Sequence, residues 1–103
     1  SNNQIVVAKE YDLLRLTGII AHEVRHIWQS ENRTLMCHNP IYSIGQTLND
    51  PAETDADAYA VYFLMIHYGI SFENAAKVVF PHIDPHTEEY ANRRRTVLDI
   101  SEE

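Results

Sequence analysis

One hundred and three residues make one modest domain, and a balance of 45 % apolar, 22 % charged and 10 % aromatic residues is globular. That composition excludes a disordered tail or a low-complexity repeat, and three glycines with four prolines leave no long flexible linker. Eight basic against fifteen acidic residues give a net charge of −7, which argues against generic binding to nucleic acid or to anionic membranes. Cys37 is the one cysteine and cannot close an internal disulfide, while six histidines are many for so short a chain and lean towards metal or acid–base chemistry.

The chain starts Ser1-Asn2-Asn3, without a basic stretch followed by an apolar one, so the expectation is an excised soluble domain rather than a secretion leader. Residues 4–8, a β-branched run, read as one short strand. From 9 to about 29 the period becomes helical, with Leu13, Leu16, Ile20, Val24 and Ile27 forming an apolar stripe expected to face the core. At about 100° per residue, His22 and His26 fall on another face, with Arg15, Gly18 and Gln29 as neighbours. Residues 32–49 have no helical period and read as a loop with a short strand near 41–44.

Asp50, Pro51 and Glu53 announce the next helix, expected over 51–68, with Gly69 as its stop. Its second half is apolar nearly all round, which predicts the buried centre of the domain; the apolar run 58–66 is still too short to span a bilayer, which takes about 20 residues. Ser71, Asn74 and the small apolar residues up to Val79 suggest a third, short helix ending before Pro81. The stretch 81–86 reads as a turn, and Asp84-Pro85 as the opening of a last helix to about Leu98. The expected architecture is one domain over 1–103: α+β and mainly helical, with two central helices, a small sheet and C-terminal helices.

The chemistry concentrates in His22-Glu23-Val24-Arg25-His26, a His-Glu-x-x-His motif. Residues four apart on a helix stand one turn above each other, so both imidazoles can reach one cation. Zinc suits two imidazoles and a carboxylate at roughly 2.0–2.2 Å, with a position left for water. Glu53, in the first turn of an antiparallel second helix, is the expected third ligand, with Asp57 as substitute. If Glu53 ligates, Asp57 instead receives a hydrogen bond from the outer nitrogen of a ligating histidine. Glu23 stands beside the open position as general base towards water.

His82, His86 and Tyr90 are candidate donors to an oxyanion, with no basis for choosing among them. Asp55 and Arg93-Arg94-Arg95 read as solvated surface, one arginine being able to turn inward. His67 suits a helix end, Cys37-His38 reads as a free thiol beside a lone histidine, and Trp28, Tyr59 and Phe63 read as core. Histidine ligands should release metal below about pH 6, where ordinary imidazoles protonate.

The pair His22-Glu23-x-x-His26 and Glu53-x-x-Ala56-Asp57 resembles the signature of gluzincin metallopeptidases. It is most similar to the CaaX-protease and HtpX-like group and to the short soluble minigluzincins. ImmA/IrrE-type peptidases share the first half and a glutamate on the second helix. The likeness covers about 11–68; more loosely, Pro85-His86-Thr87-Glu88-Glu89 with Arg93 and Arg94 resembles a trailing histidine-proline, glutamate, arginine segment, with histidine and proline exchanged. The resemblance implies zinc endopeptidase activity, with His22, His26 and Glu53 as ligands, Glu23 as general base, and a peptide or protein substrate bound extended along a sheet edge. The strand at 4–8 is the expected edge. The alternative is a latent or non-catalytic zinc-containing domain that captures a peptide without cutting it, or one whose acidic tail at 99–103 fills the cleft.

Overall fold

A computed structural model describes residues 2–32 and 50–103, giving the backbone alone for 2–10. Four helices make up these residues: α1 (Asn2–Asn32), α2 (Pro51–Tyr68), α3 (Phe72–Val79) and α4 (Glu88–Ser101). Among the described residues there is no strand, so the fold is all-helical and the expected α+β arrangement with a small sheet is corrected. Residues 4–8 continue α1 instead of forming a strand. Their β-branched side chains cost only a few tenths of a kcal/mol each in a helix, and no proline separates them from the strongly helical stretch that follows. The sheet edge expected to bind substrate is lost with that strand. The strand near 41–44 and Cys37-His38 lie outside the described residues.

The middle helix forms as its sequence dictates. The Asp50 side chain accepts a hydrogen bond from the Ala52 N–H, Pro51 occupies the first turn, and Gly69 closes the helix at φ 66°, its N–H reaching the Met65 carbonyl at 3.0 Å. Ser71 caps α3 by accepting from Asn74 N–H. The last helix starts later than Asp84-Pro85 suggested. Asp84 instead ties down the turn before it, accepting from the His86 N–H and the Thr87 hydroxyl, and Thr87 caps Glu88–Ser101.

Packing centres on α2, whose Ala58, Val61 and Leu64 join Ala75, Ala76 and Val78 of α3, Phe80, Ile83, and Val97 and Ile100 of α4 in the buried core. Pairings of Gln29 with Ala52, His26 with Glu53, His22 with Asp57 and Thr17 with Tyr68 run in opposite directions, so α1 and α2 are antiparallel. The face α1 turns towards α2 is the unexpected one. Gly18, Ala21, Arg25 and Gln29 are buried, whereas the stripe read as core is exposed, from 47 % at Val24 to 60 % at Ile27. Small and hydrogen-bonding side chains win this face because α2 offers complementary groups there, alanine faces and carboxylates, which an isobutyl or isopropyl group could not satisfy. Trp28 and Phe63 are half-buried outside the core, while Tyr59, also half-buried, packs against it. No helix among the described residues is long and apolar enough to cross a membrane.

Candidate metal centre

The antiparallel crossing of α1 and α2 brings His22, His26 and Glu53 together, all half-buried. His22 Nε2 lies 3.0 Å from His26 Nε2 and 3.3 Å from one Glu53 oxygen, and His26 Nε2 lies 2.9 Å from the other. A tetrahedral zinc with bonds of about 2.0–2.1 Å sets neighbouring ligand atoms about 3.3–3.4 Å apart, so a few tenths of an ångström of outward relaxation would admit the ion. Two imidazoles and one carboxylate are the donor set that zinc favours where a fourth position stays open. The residues fit the metal.

Each histidine is oriented through its other nitrogen. His22 Nδ1 donates to Asp57 Oδ1 at 2.9 Å, and the other Asp57 oxygen accepts from Arg93 Nε at 2.9 Å. His26 Nδ1 donates to Gln29 Oε1 at 2.9 Å. The Gln29 amide cannot turn round, because its nitrogen already donates to the Ala52 carbonyl and to Asp55, both 2.9 Å away. Both rings therefore keep Nδ1 protonated and present Nε2 to a common point. Asp57 above all, with Glu53, pushes His22 up to about 10, so in the metal-free protein this site holds a proton where a divalent cation would sit.

Asp55, expected on the surface, is buried and takes both ends of the Arg25 guanidinium, at 2.7 and 3.2 Å. Burial opposes the Arg25 charge, but the Asp55 carboxylate outweighs it and holds the guanidinium above its ordinary pKa. Arg25 also lies 3.9 Å over the Trp28 ring. This pair clamps the segment between the two histidines to the first turn of α2. Of the three arginines expected on a solvated face, with one able to turn inward, Arg93 is the one that does, at 1 % exposed, while Arg94 and Arg95 lie outside. Its spacing with Val97 and Ile100 places it on the buried stripe of α4, a signal that the run of three arginines obscures.

Glu23 is exposed and lines a cavity of about 280 Å³ together with His22, Asp57 and His82. Of the three candidate oxyanion donors, only His82 shares that cavity. His86 is exposed on the turn before α4, and Tyr90 packs edge-on against Phe72 and Phe80, lining a different hollow. His67 stacks on Phe63 at the end of α2. The tail does not fill the cleft: Glu103 reaches towards Arg25, and Asp99 lines a separate hollow beside Asp55. No family model matches the chain, and neither a curated protein nor a solved structure matches it.

Proposed function

We propose that the chain is a zinc-dependent peptide hydrolase, in which His22, His26 and Glu53 hold the ion and Glu23 is the general base. The observation that carries this reading is the convergence of three donors from two helices, with both imidazoles locked in the tautomer that metal binding requires. Structural zinc sites usually close four protein ligands around the ion; three protein donors and a flanking unligated glutamate suit catalysis.

Zinc bound there would supply Lewis acidity and lower the pKa of water towards neutrality. Glu23 then accepts the proton of the attacking water and delivers it to the departing amine. Asp57 and Arg93 hold the His22 ring while charge builds at the site, and His82, which lines the same cavity, would be the donor to the developing oxyanion. Substrate enters along the face that α1 shares with α3 and the 81–86 turn. The gluzincin motif supports the same chemistry, carried on helices without a sheet among the described residues.

Protein purified without added metal should contain close to one zinc per chain by elemental analysis. Glu23→Gln should retain that zinc and lose hydrolysis of a generic peptide library, and His22→Ala should lose both. Full hydrolysis by the Glu23→Gln protein would defeat the reading. Intact zinc in a wild-type chain that cuts no peptide would instead favour the non-catalytic, peptide-capturing alternative.

A further inference from the structure

The 280 Å³ cavity beside Glu23 runs away from the histidines along α1 and ends at Arg15. Arg15 stands seven residues before His22, which returns it to the same face of the helix, about 10 Å along the axis. Between them the wall is Gly18 and Ile19 on one side and Val78 and Val79 on the other, so the middle of the cavity is apolar. The charges at the two ends differ. Near the histidines, Asp57 is already occupied by His22 and Arg93, and Glu23 lines the same end of the cavity one residue along from His22. At the far end Arg15 is the cationic wall, and no ion pair within the described residues engages its guanidinium.

We propose that this cavity is a carboxylate-recognition subsite, taking an acidic side chain or the chain-terminal carboxylate of a peptide whose scissile bond lies at the His22–His26–Glu53 cluster. The inference rests on the hydrolase reading for where the bond lies. About 10 Å corresponds to roughly three residues of extended chain, so the recognised carboxylate is borne within three residues of that bond. The methylenes of a glutamate, or one intervening residue, would lie along Val78 and Val79, and the guanidinium would receive the carboxylate in its fork. A cavity slightly below the usual range for drug-sized ligands suits one or two residues and no folded loop.

Zinc-loaded Glu23→Gln protein, which leaves peptides uncut, provides the direct test. Labelled peptides are titrated by fluorescence anisotropy, in pairs differing only by glutamate or glutamine at one position, each with a free or an amidated C-terminus. One carboxylate-bearing member should bind roughly tenfold tighter than its neutral partner, as a charge-assisted contact provides. The amidated series tells a side-chain carboxylate from a terminal one. In the added Arg15→Gln variant the ratio should fall close to one, Arg15→Lys should restore part of it, and Arg95→Gln, on another surface, should leave it intact. A ratio that survives Arg15→Gln, no preference at all, or no binding of any carboxylate peptide overturns the subsite. The two readings separate cleanly: wild-type protein that prefers the acidic peptide yet cuts none loses the hydrolase, and one that cuts acidic and neutral peptides alike loses the subsite.

Discussion

His22 and His26 stand one helical turn apart and point at the same place, yet they are held by opposite means. His22 is held from outside its own helix, by a carboxylate on α2 that is itself held by an arginine from α4. His26 is held by a neutral amide three residues along its own helix, and that amide is fixed in turn by the first turn of α2. The first arrangement is charged, spans three helices and makes its ring more basic; the second is local and fixes direction without adding charge. The difference teaches that orientation and charge are separable in this site, and that substitutions should affect the two rings unequally.

The largest effect should come from breaking the chain of support at its buried end. Arg93→Met takes the buried guanidinium away from Asp57 and leaves that carboxylate with the His22 imidazolium alone, and removing one member of a buried pair costs up to about 3–5 kcal/mol. Urea unfolding of the metal-free protein should show a loss of that order, a large share of the stability of a domain this size. On the other side of the comparison, Gln29→Leu leaves the buried Ala52 carbonyl and Asp55 short of a donor without stranding a charge, and should cost about 1–3 kcal/mol. Equal losses from the two would erase the distinction.

Zinc affinity gives the next contrast. Asp57→Asn keeps a hydrogen-bond acceptor for His22 but removes the charge, and loss of such a carboxylate partner typically costs 10–100-fold in affinity. Gln29→Glu does the reverse for His26, giving it a charged acceptor, and should bind zinc at least as tightly while lowering stability, because it sets an oxygen against the Ala52 carbonyl and Asp55. Competition with a zinc-responsive chelator reads both. If Asp57→Asn bound zinc like wild type, the carboxylate would be doing no more than the amide does.

How much of this could be seen in the sequence follows from the same contrast. The spacing of His22 and His26 was legible because it is short-range arithmetic on one helix, as were the caps of α2 and α3, whereas Glu53 and Asp57 were placed beside them by expecting an antiparallel second helix. Gln29 was visible as a neighbour of the histidines, but its role depends on the Ala52 carbonyl, 23 residues further along the chain. Asp55 was misplaced because composition reads charge as surface, and which of the three arginines turns inward could not be told, since only a partner 30 or 36 residues away makes burial affordable. The apolar stripe of α1 was a true stripe assigned to the wrong side: periodicity reports that a helix has two faces, not which of them a neighbour will choose. Residues 4–8 failed differently, a local β preference overruled by the helix that runs through them.

Proton linkage sharpens the comparison further. His22 is raised from 6.5 to about 10 by Asp57 and Glu53, so in metal-free protein its contribution to stability is complete below about pH 6.5 and disappears as pH rises towards 10. Zinc needs the deprotonated Nε2, so binding at pH 7.5 should expel close to one proton from His22, and affinity should weaken across the whole range below about pH 10 rather than only below 6. Calorimetric titrations in buffers of different ionisation enthalpy count that proton. Asp57→Asn should reduce the count, since it removes the first cause of the shift, and an unchanged count would mean that Glu53 alone holds the proton.

The smallest expected effect lies one turn before His22, where the helices approach through small residues instead of hydrogen bonds. A Cβ added at Gly18 would sit 3.4 Å from Val79 Cγ2 and 3.6 Å from Leu64 Cδ1, ordinary van der Waals contact. Gly18→Ala in the interior of α1 should therefore raise stability by up to about 1 kcal/mol, through helix propensity and a less mobile unfolded chain. Because Gly18 also lines the cavity between Arg15 and His22, the added methyl should narrow it, lowering affinity for bulky neighbours of the recognised carboxylate more than for alanine. A melting temperature that rises while zinc affinity holds would place the close packing before His22 outside the metal site. A shift in zinc affinity would mean that the His22 ring is positioned by this contact as well as by Asp57.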